Sequence, residues 1–126
     1  MPVQLDHLIL MVNDRQRSLD FYTEVLGFAH EGERPPFSLV RVNDGLLLQI
    51  APWGTGGGLH LAFAMARAEF ERIFQRVRER GLEYGDAFDT VGSQRGPGDE
   101  SGARGPGQAV YVFDPDRHLI EIRHYG

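Results

Sequence analysis

The chain repeats itself once, and that repeat restricts its fold more than any other property of the sequence. Leu5-Asp6-His7-Leu8-Ile9-Leu10-Met11 aligns with Gly58-Leu59-His60-Leu61-Ala62-Phe63-Ala64, two short apolar runs that each carry one histidine near the start. Each run leads into an amphipathic helix. The first is predicted from about Asp14 to Leu26, with Asn13 or Asp14 as N-cap and Leu19, Tyr22, Val25 and Leu26 on its apolar side. The second is predicted from about Ala68 to Arg80, where Phe70, Ile73, Phe74 and Val77 follow i, i+3, i+4, i+7 spacing. Gly27 and Gly81 follow as C′ residues, 20 positions after His7 and 21 after His60.

The correspondence continues through two further strands in each half. Phe37 to Val42 and Leu46 to Ile50 flank the turn Asn43-Asp44-Gly45. Ala109 to Phe113 and Leu119 to Arg123 flank Asp114-Pro115-Asp116. The implied fold is α+β: a single domain over residues 1–126 made of two tandem βαβββ modules, about 1–53 and 58–126. His7 to Gln49 spans 42 positions and His60 to Glu121 spans 61, a surplus of 19. It falls in the Gly/Pro-rich stretch 92–107, a loop insertion of the length that is usually functional or mobile.

Composition removes several classes of activity. A net charge of −5 argues against nucleic acid as a partner, because phosphate binding needs a clustered basic face. Cysteine is absent, which excludes disulfides, thiolate catalysis and cysteine-ligated zinc. All 13 basic residues are Arg, so no lysine Schiff base can form. No stretch approaches the roughly 20 apolar residues that span a bilayer, and no basic segment precedes an apolar run at the start. A cytoplasmic protein without membrane partners is expected.

Strand parity brings out the candidate site. Side chains alternate faces, so Leu8, Leu10 and Val12 oppose His7, Ile9 and Met11; Leu59, Leu61 and Phe63 oppose His60, Ala62 and Ala64. In the closing strands, Leu46, Leu48 and Ile50 oppose Leu47, Gln49 and Ala51, and Ile120 and Ile122 oppose Glu121 and Arg123. One face suits the helices; the other carries a ligand-capable residue beside small neighbours. His7, His60 and Glu121 together make a 2-His-1-carboxylate set for a divalent cation. Alternatives stand beside it: a strand histidine that is merely hydrogen-bonded, and a Glu121 that pairs with Arg123, although residues two apart on one strand face are not ideally placed for that.

Three segments resemble the vicinal oxygen chelate superfamily, which includes glyoxalases, extradiol dioxygenases, fosfomycin-inactivating transferases and bleomycin-binding proteins. They are Leu5-Asp6-His7-Leu8; Ser18-Leu19-Asp20-Phe21-Tyr22-Thr23-Glu24-Val25-Leu26-Gly27-Phe28; and Phe113-Asp114-Pro115-Asp116-Arg117-His118-Leu119-Ile120-Glu121. The resemblance implies paired modules forming an eight-stranded, incompletely closed barrel with helices outside, and metal ligands at His7, His60 and Glu121. It also implies a homodimer, with modules paired within or between chains. Two departures are informative. Arg117 replaces the family's usual Gly, which costs on the order of 1 kcal/mol if the turn needs φ > 0. Gln49 stands near the position of the fourth ligand of glyoxalase I, usually a glutamate, and a neutral amide cannot serve as a carboxylate base.

Three protein ligands leave open positions where a substrate with adjacent oxygens can chelate one ion, iron, manganese, nickel, cobalt or zinc, that acts as a Lewis acid. The expectation is an enzyme of dioxygenase or lyase/transferase type acting on a small molecule, with Glu121 and Gln49 nearest the chemistry. Arg123, Arg41 and Tyr125 are candidates for substrate binding. The rival is a non-catalytic protein that sequesters a drug or metabolite, as in the bleomycin-resistance branch. His118 is read as structural, and His30 and His124 as surface residues.

Overall fold

The computed structural model describes residues 3–126, which divide into a first unit ending at Gly56 and a second running from Gly57 to Gly126. In the first unit, β1 (His7–Met11) leads to α1 (Arg15–Asp20), then β2 (Ala29–Arg34), β3 (Phe37–Asn43) and β4 (Leu46–Ala51). Sheet order is β1-β4-β3-β2, with β1 parallel to β4. The second unit repeats the plan with β5 (His60–Ala64), α2 (Arg67–Glu79), β6 (Tyr84–Gly85), β7 (Gly98–Asp99), β8 (Gln108–Phe113) and β9 (Leu119–His124). Its order is β5-β9-β8-β6, with β7 added against β8 and β5 parallel to β9. The architecture is therefore α+β, two sheets each with its helix. The loop insertion is not wholly irregular, since β7 lies within it.

Helix starts and stops follow local chemistry. The Asp14 carboxylate caps α1 by accepting from the Arg17 amide at 3.1 Å, which satisfies one of the helix's orphan donors. Asn13 instead bonds Thr55, donating to its carbonyl and accepting from its amide. The helix expected to continue to Leu26 widens after Asp20 into a π-helical turn over Phe21–Val25, where the Leu26 amide reaches back five residues to the Phe21 carbonyl. Gly27 then takes φ 81° and ends the element. Tyr22, Val25 and Leu26 remain buried, so the widened turn still delivers the expected apolar side to the core.

Strand β2, Ala-His-Glu-Gly-Glu-Arg, carries no alternating pattern, because it is a largely exposed, charged edge with Gly32 at φ 107° and a register shift between His30 and Glu33. In the first unit Leu10, Val12, Val40, Leu48 and Ile50 are buried, and in the second Val110, Val112, Ile120 and Ile122 of the sheet and Phe70, Ile73 and Val77 of α2 are buried. Parity placed Leu10, Val12, Leu48, Ile50, Ile120 and Ile122 on the face suited to the helices, but of the residues at and before β5 assigned to it Leu59 is exposed and Leu61 and Phe63 are only half-buried.

The five histidines separate by environment. His118 is buried and its Nδ1 accepts from the Leu59 amide at 3.2 Å, a structural role as expected. His30 is on the surface, 2.7 Å from Glu33. His124 is not a surface residue: β9 extends one residue further than expected, and parity puts His124 with Ile120 and Ile122, buried 4.8 Å from the Phe70 ring.

Arg117 has φ 65°, so the turn does demand the left-handed conformation, while its guanidinium lies 4.2 Å over the Phe113 ring. The strain of about 1–2 kcal/mol is partly offset by a cation–π contact worth about 0.5–1 kcal/mol. Arg117→Ala loses the contact and keeps the strain, so urea denaturation should show a loss of about 0.5–1 kcal/mol. Arg117→Gly relieves the strain and should exceed the alanine variant by about 1 kcal/mol.

Candidate metal and substrate site

The two sheets hold the candidate residues at matching register positions. His7 pairs with Leu47 and Ile9 with Gln49 across β1 and β4; His60 pairs with Leu119 and Ala62 with Glu121 across β5 and β9. A histidine thus opens one strand of each parallel pair, and Gln49 and Glu121 stand at equivalent positions on the other. On the first sheet, His7, Gln49 and Arg41 share a face, since Arg41 pairs with Leu47 and Leu39 with Gln49. His7 is half exposed, and its Nδ1 lies 2.8 Å from the Asp6 carboxylate. A carboxylate on Nδ1 fixes the ring and directs Nε2 away from Asp6, an arrangement that is also common behind metal-binding imidazoles. Arg41 is already engaged: Nε and Nη2 donate to Glu31, and Nη1 to the carbonyls of Asn43 and Asp44. Holding a substrate anion would require it to release Glu31.

On the second unit the residues converge. His60 Nε2 lies 2.9 Å from Glu121 Oε1, and Arg123 Nη1 donates to Glu121 Oε2 at 2.7 Å. Glu121 and Arg123 are buried, with side chains 7% and 2% exposed, whereas His60 is 48% exposed. The pairing of Glu121 with Arg123, expected to be poorly placed, forms because the long Arg side chain bends back along its own strand. Burial requires such a partner, for an isolated charge in this setting costs several kcal/mol. Nη2 of Arg123 donates to the Glu100 carbonyl at 2.6 Å, while Nε is buried with no acceptor among the described residues. A buried donor left unmatched costs about 1–3 kcal/mol.

An open cleft of about 680 Å³ lies over these groups, with Ala62 and Ala64 on its floor and Ser101, Arg104 and Tyr125 at its edge. Tyr125 lines this cleft, as does Arg123. The Glu121 and His60 donor atoms suit a cation. Ligand atoms about 2.0–2.2 Å from one ion and at right angles stand about 3 Å apart, close to the 2.9 Å observed. Among the described residues, no group of three or more His, Cys, Asp or Glu side chains is assembled for a metal. The structure brings together His60 and Glu121; His7 sits on the first unit's sheet.

Tyr111 was not singled out in the sequence. It pairs with Glu121 across β8 and β9, and its ring lies 6.1 Å from that of His60. Burial, then the adjacent Glu121 and Glu100 charges, push its hydroxyl up to about 12, so it is a proton-holding donor at neutral pH. Reading parity along Gln108–Phe113 as well as along the closing strand would have placed Tyr111 on the same face as Glu121.

The model of the Glyoxalase/Bleomycin resistance protein/Dioxygenase superfamily matches residues 4–122. The chain is 27% identical over 129 residues to glutathione transferase FosA of Serratia marcescens, covering 97% of this chain and 80% of that protein. Among solved structures it is similar to the oxidase ChaP-H1, with a TM-score of 0.82 and 31% identity over 98% of this chain and 97% of that one. The oxidase ChaP-H2 matches with a TM-score of 0.80 and 28% identity, over 100% of this chain and 96% of its own.

Proposed function

From the premise that this chain belongs to the Glyoxalase/Bleomycin resistance protein/Dioxygenase superfamily, we propose that it is a divalent-metal enzyme of dioxygenase or lyase/transferase type. Its substrate is a small oxygenated molecule that chelates the ion through adjacent oxygens. The observation that carries this reading is the 2.9 Å approach of His60 Nε2 to Glu121 Oε1 on the floor of an open cleft. His60, Glu121 and His7 would hold iron, manganese, nickel, cobalt or zinc, and Gln49 stands where a fourth donor would come. When bound, the ion supplies Lewis acidity to the chelated oxygens. Enzyme names among the relatives, a glutathione transferase and two oxidases, favour catalysis over sequestration.

The chain's own groups do the rest. Arg123 fixes the direction of the Glu121 carboxylate through the 2.7 Å contact to Oε2. Tyr111 offers a hydroxyl proton beside it. Ala62 and Ala64 share the cleft lining with Arg123 and Tyr125, which would bind the substrate's polar end. We place the two sheets in an eight-stranded, incompletely closed barrel, and the protein in a cytoplasmic homodimer. Among the described residues no helix is long and apolar enough to cross a membrane.

Water-proton relaxation on Mn(II)-loaded protein tests this reading. Bound manganese should enhance relaxation through exchangeable water, and acetohydroxamate, a bidentate oxygen ligand, should lower the enhancement by displacing that water. Manganese bound without exchangeable water would make the site structural. Failure to bind any of the five metals would overturn the enzyme reading in favour of a sequestering protein.

A further inference from the structure

Arg123 is arranged as though one side of it awaits an acceptor. A guanidinium offers parallel donors along its side edge, Nε and Nη2, which match two oxygens of a carboxylate, phosphonate or phosphate. In this structure that edge is half used, with Nη2 on the Glu100 carbonyl and Nε on nothing. The opposite donor, Nη1, is committed to Glu121. What covers the empty donor is the inserted loop. A methyl group added at Gly102 would lie 2.4 Å from Arg123 Cζ and 2.5 Å from Nε, so the bare glycine backbone lies directly on the guanidinium. The base of the loop is fixed by the pairing of Gly98–Asp99 with β8 and by the Glu100 amide donating to the Gly107 carbonyl at 3.0 Å, whereas its tip is held by fewer contacts. Gly102 and Gly105 bond each other's backbones, and the Arg104 amide donates to the Tyr125 hydroxyl at 3.3 Å. The Arg123 and Arg104 guanidiniums lie 4.6 and 4.8 Å from the Tyr125 ring centroid, which brings two cations to one end of the cleft. Among the described residues, Arg123 is salt-bridged to a carboxylate and Arg104 is not.

We propose that the Nε–Nη2 edge of Arg123 binds an oxyanion on the substrate and is masked by the loop tip from Glu100 to Gly105 until that anion displaces the Glu100 carbonyl. A single carbonyl oxygen satisfies one donor of the edge, whereas an oxyanion satisfies both and adds a charge that Arg104 also attracts. Substrates with a carboxylate, phosphonate or phosphate arm would thereby be selected, and loop opening would accompany their binding. The inference rests on the reading of this cleft as the substrate site. It does not require the metal to be bound.

The test follows the Arg123 Nε–H resonance by ¹⁵N nuclear magnetic resonance, and tryptic cleavage after Arg104, while inorganic phosphate or acetate is added. Acetamide and chloride at matched ionic strength serve as controls, and metal content is measured on the same samples. Phosphate or acetate should shift the Nε–H resonance in a saturable way and speed cleavage several-fold, with neither effect from the controls. Arg123→Lys keeps the charge but removes the edge, so the anion should no longer speed cleavage. Gly102→Ala forces the loop off the guanidinium, so it should be cleaved faster without anion and saturate at lower anion concentration. An Nε–H resonance indifferent to both anions, or a Gly102→Ala protein identical to the parent in both respects, would overturn the inference. Metal-loaded protein with an unresponsive Nε–H fails this inference alone; metal-free protein with a responsive one fails the metal reading alone.

Discussion

Replacing Arg123 by leucine is expected to lower the free energy of unfolding of the metal-free protein by about 3–5 kcal/mol, the usual result of removing one partner from a buried ion pair. Arg123 is 2% exposed and holds two separate structures, the Glu121 carboxylate at 2.7 Å and the Glu100 carbonyl at 2.6 Å. Without it, Glu121 keeps His60, which is half exposed, and the Tyr111 hydroxyl, neither of which supplies a buried permanent cation. Most of the penalty therefore comes from the stranded carboxylate rather than from lost packing. That division is measurable. Glu121→Leu removes the carboxylate, and the double variant should be less destabilised than the two single changes added together, by roughly 0.5–3 kcal/mol. Urea denaturation of the four proteins gives the cycle. Strict additivity would mean that the 2.7 Å contact contributes nothing to folding.

The second large effect concerns metal retention. His7→Ala, His60→Ala and Glu121→Ala should each weaken metal binding by more than the roughly 10–100-fold that changes behind a ligand cost. Asp6→Asn provides that reference, since its carboxylate lies 2.8 Å from His7 Nδ1 and would act through the imidazole rather than as a ligand. It should fall within about 10–100-fold of the parent. Glu121→Gln keeps the shape and removes the charge; it should bind metal less tightly than the parent yet better than Glu121→Ala. Isothermal titration with Mn(II) or Zn(II) orders the series. Equal affinity in the parent and all three alanine variants would remove these residues from the ligand set.

The repeat explains why so much of the fold was legible. Period-two alternation in His7–Met11 and His60–Ala64 and the 3.6-residue pattern of Phe70, Ile73, Phe74 and Val77 agree with each other. The matching registers of the two parallel pairs put Gln49 and Glu121 where counting positions had put them. Parity fails where a side chain or strand departs from the average. Arg123 is long enough to reach back to its own strand neighbour, so the face it shares with Glu121 became an ion pair rather than two independent groups. His124 turned out to be core because its strand runs one residue further, a boundary that no capping residue marks. The edge strand Ala29–Arg34 is held by backbone pairing and by polar contacts of Glu31 and Glu33, and the two-residue strand Gly98–Asp99 pairs through its backbone with β8, so neither leaves a hydrophobic pattern to read. Tyr111 was hidden for a different reason: in an apolar strand, an aromatic residue reads as core whether or not its hydroxyl faces a carboxylate.

Metal content tests the central claim most directly, measured by elemental mass spectrometry on protein purified without a metal-affinity tag, beside the three alanine variants. Near-stoichiometric iron, manganese, nickel, cobalt or zinc in the parent, lost in His7→Ala, His60→Ala and Glu121→Ala, is the predicted result. A parent that carries no metal after reconstitution with each of these ions would contradict it.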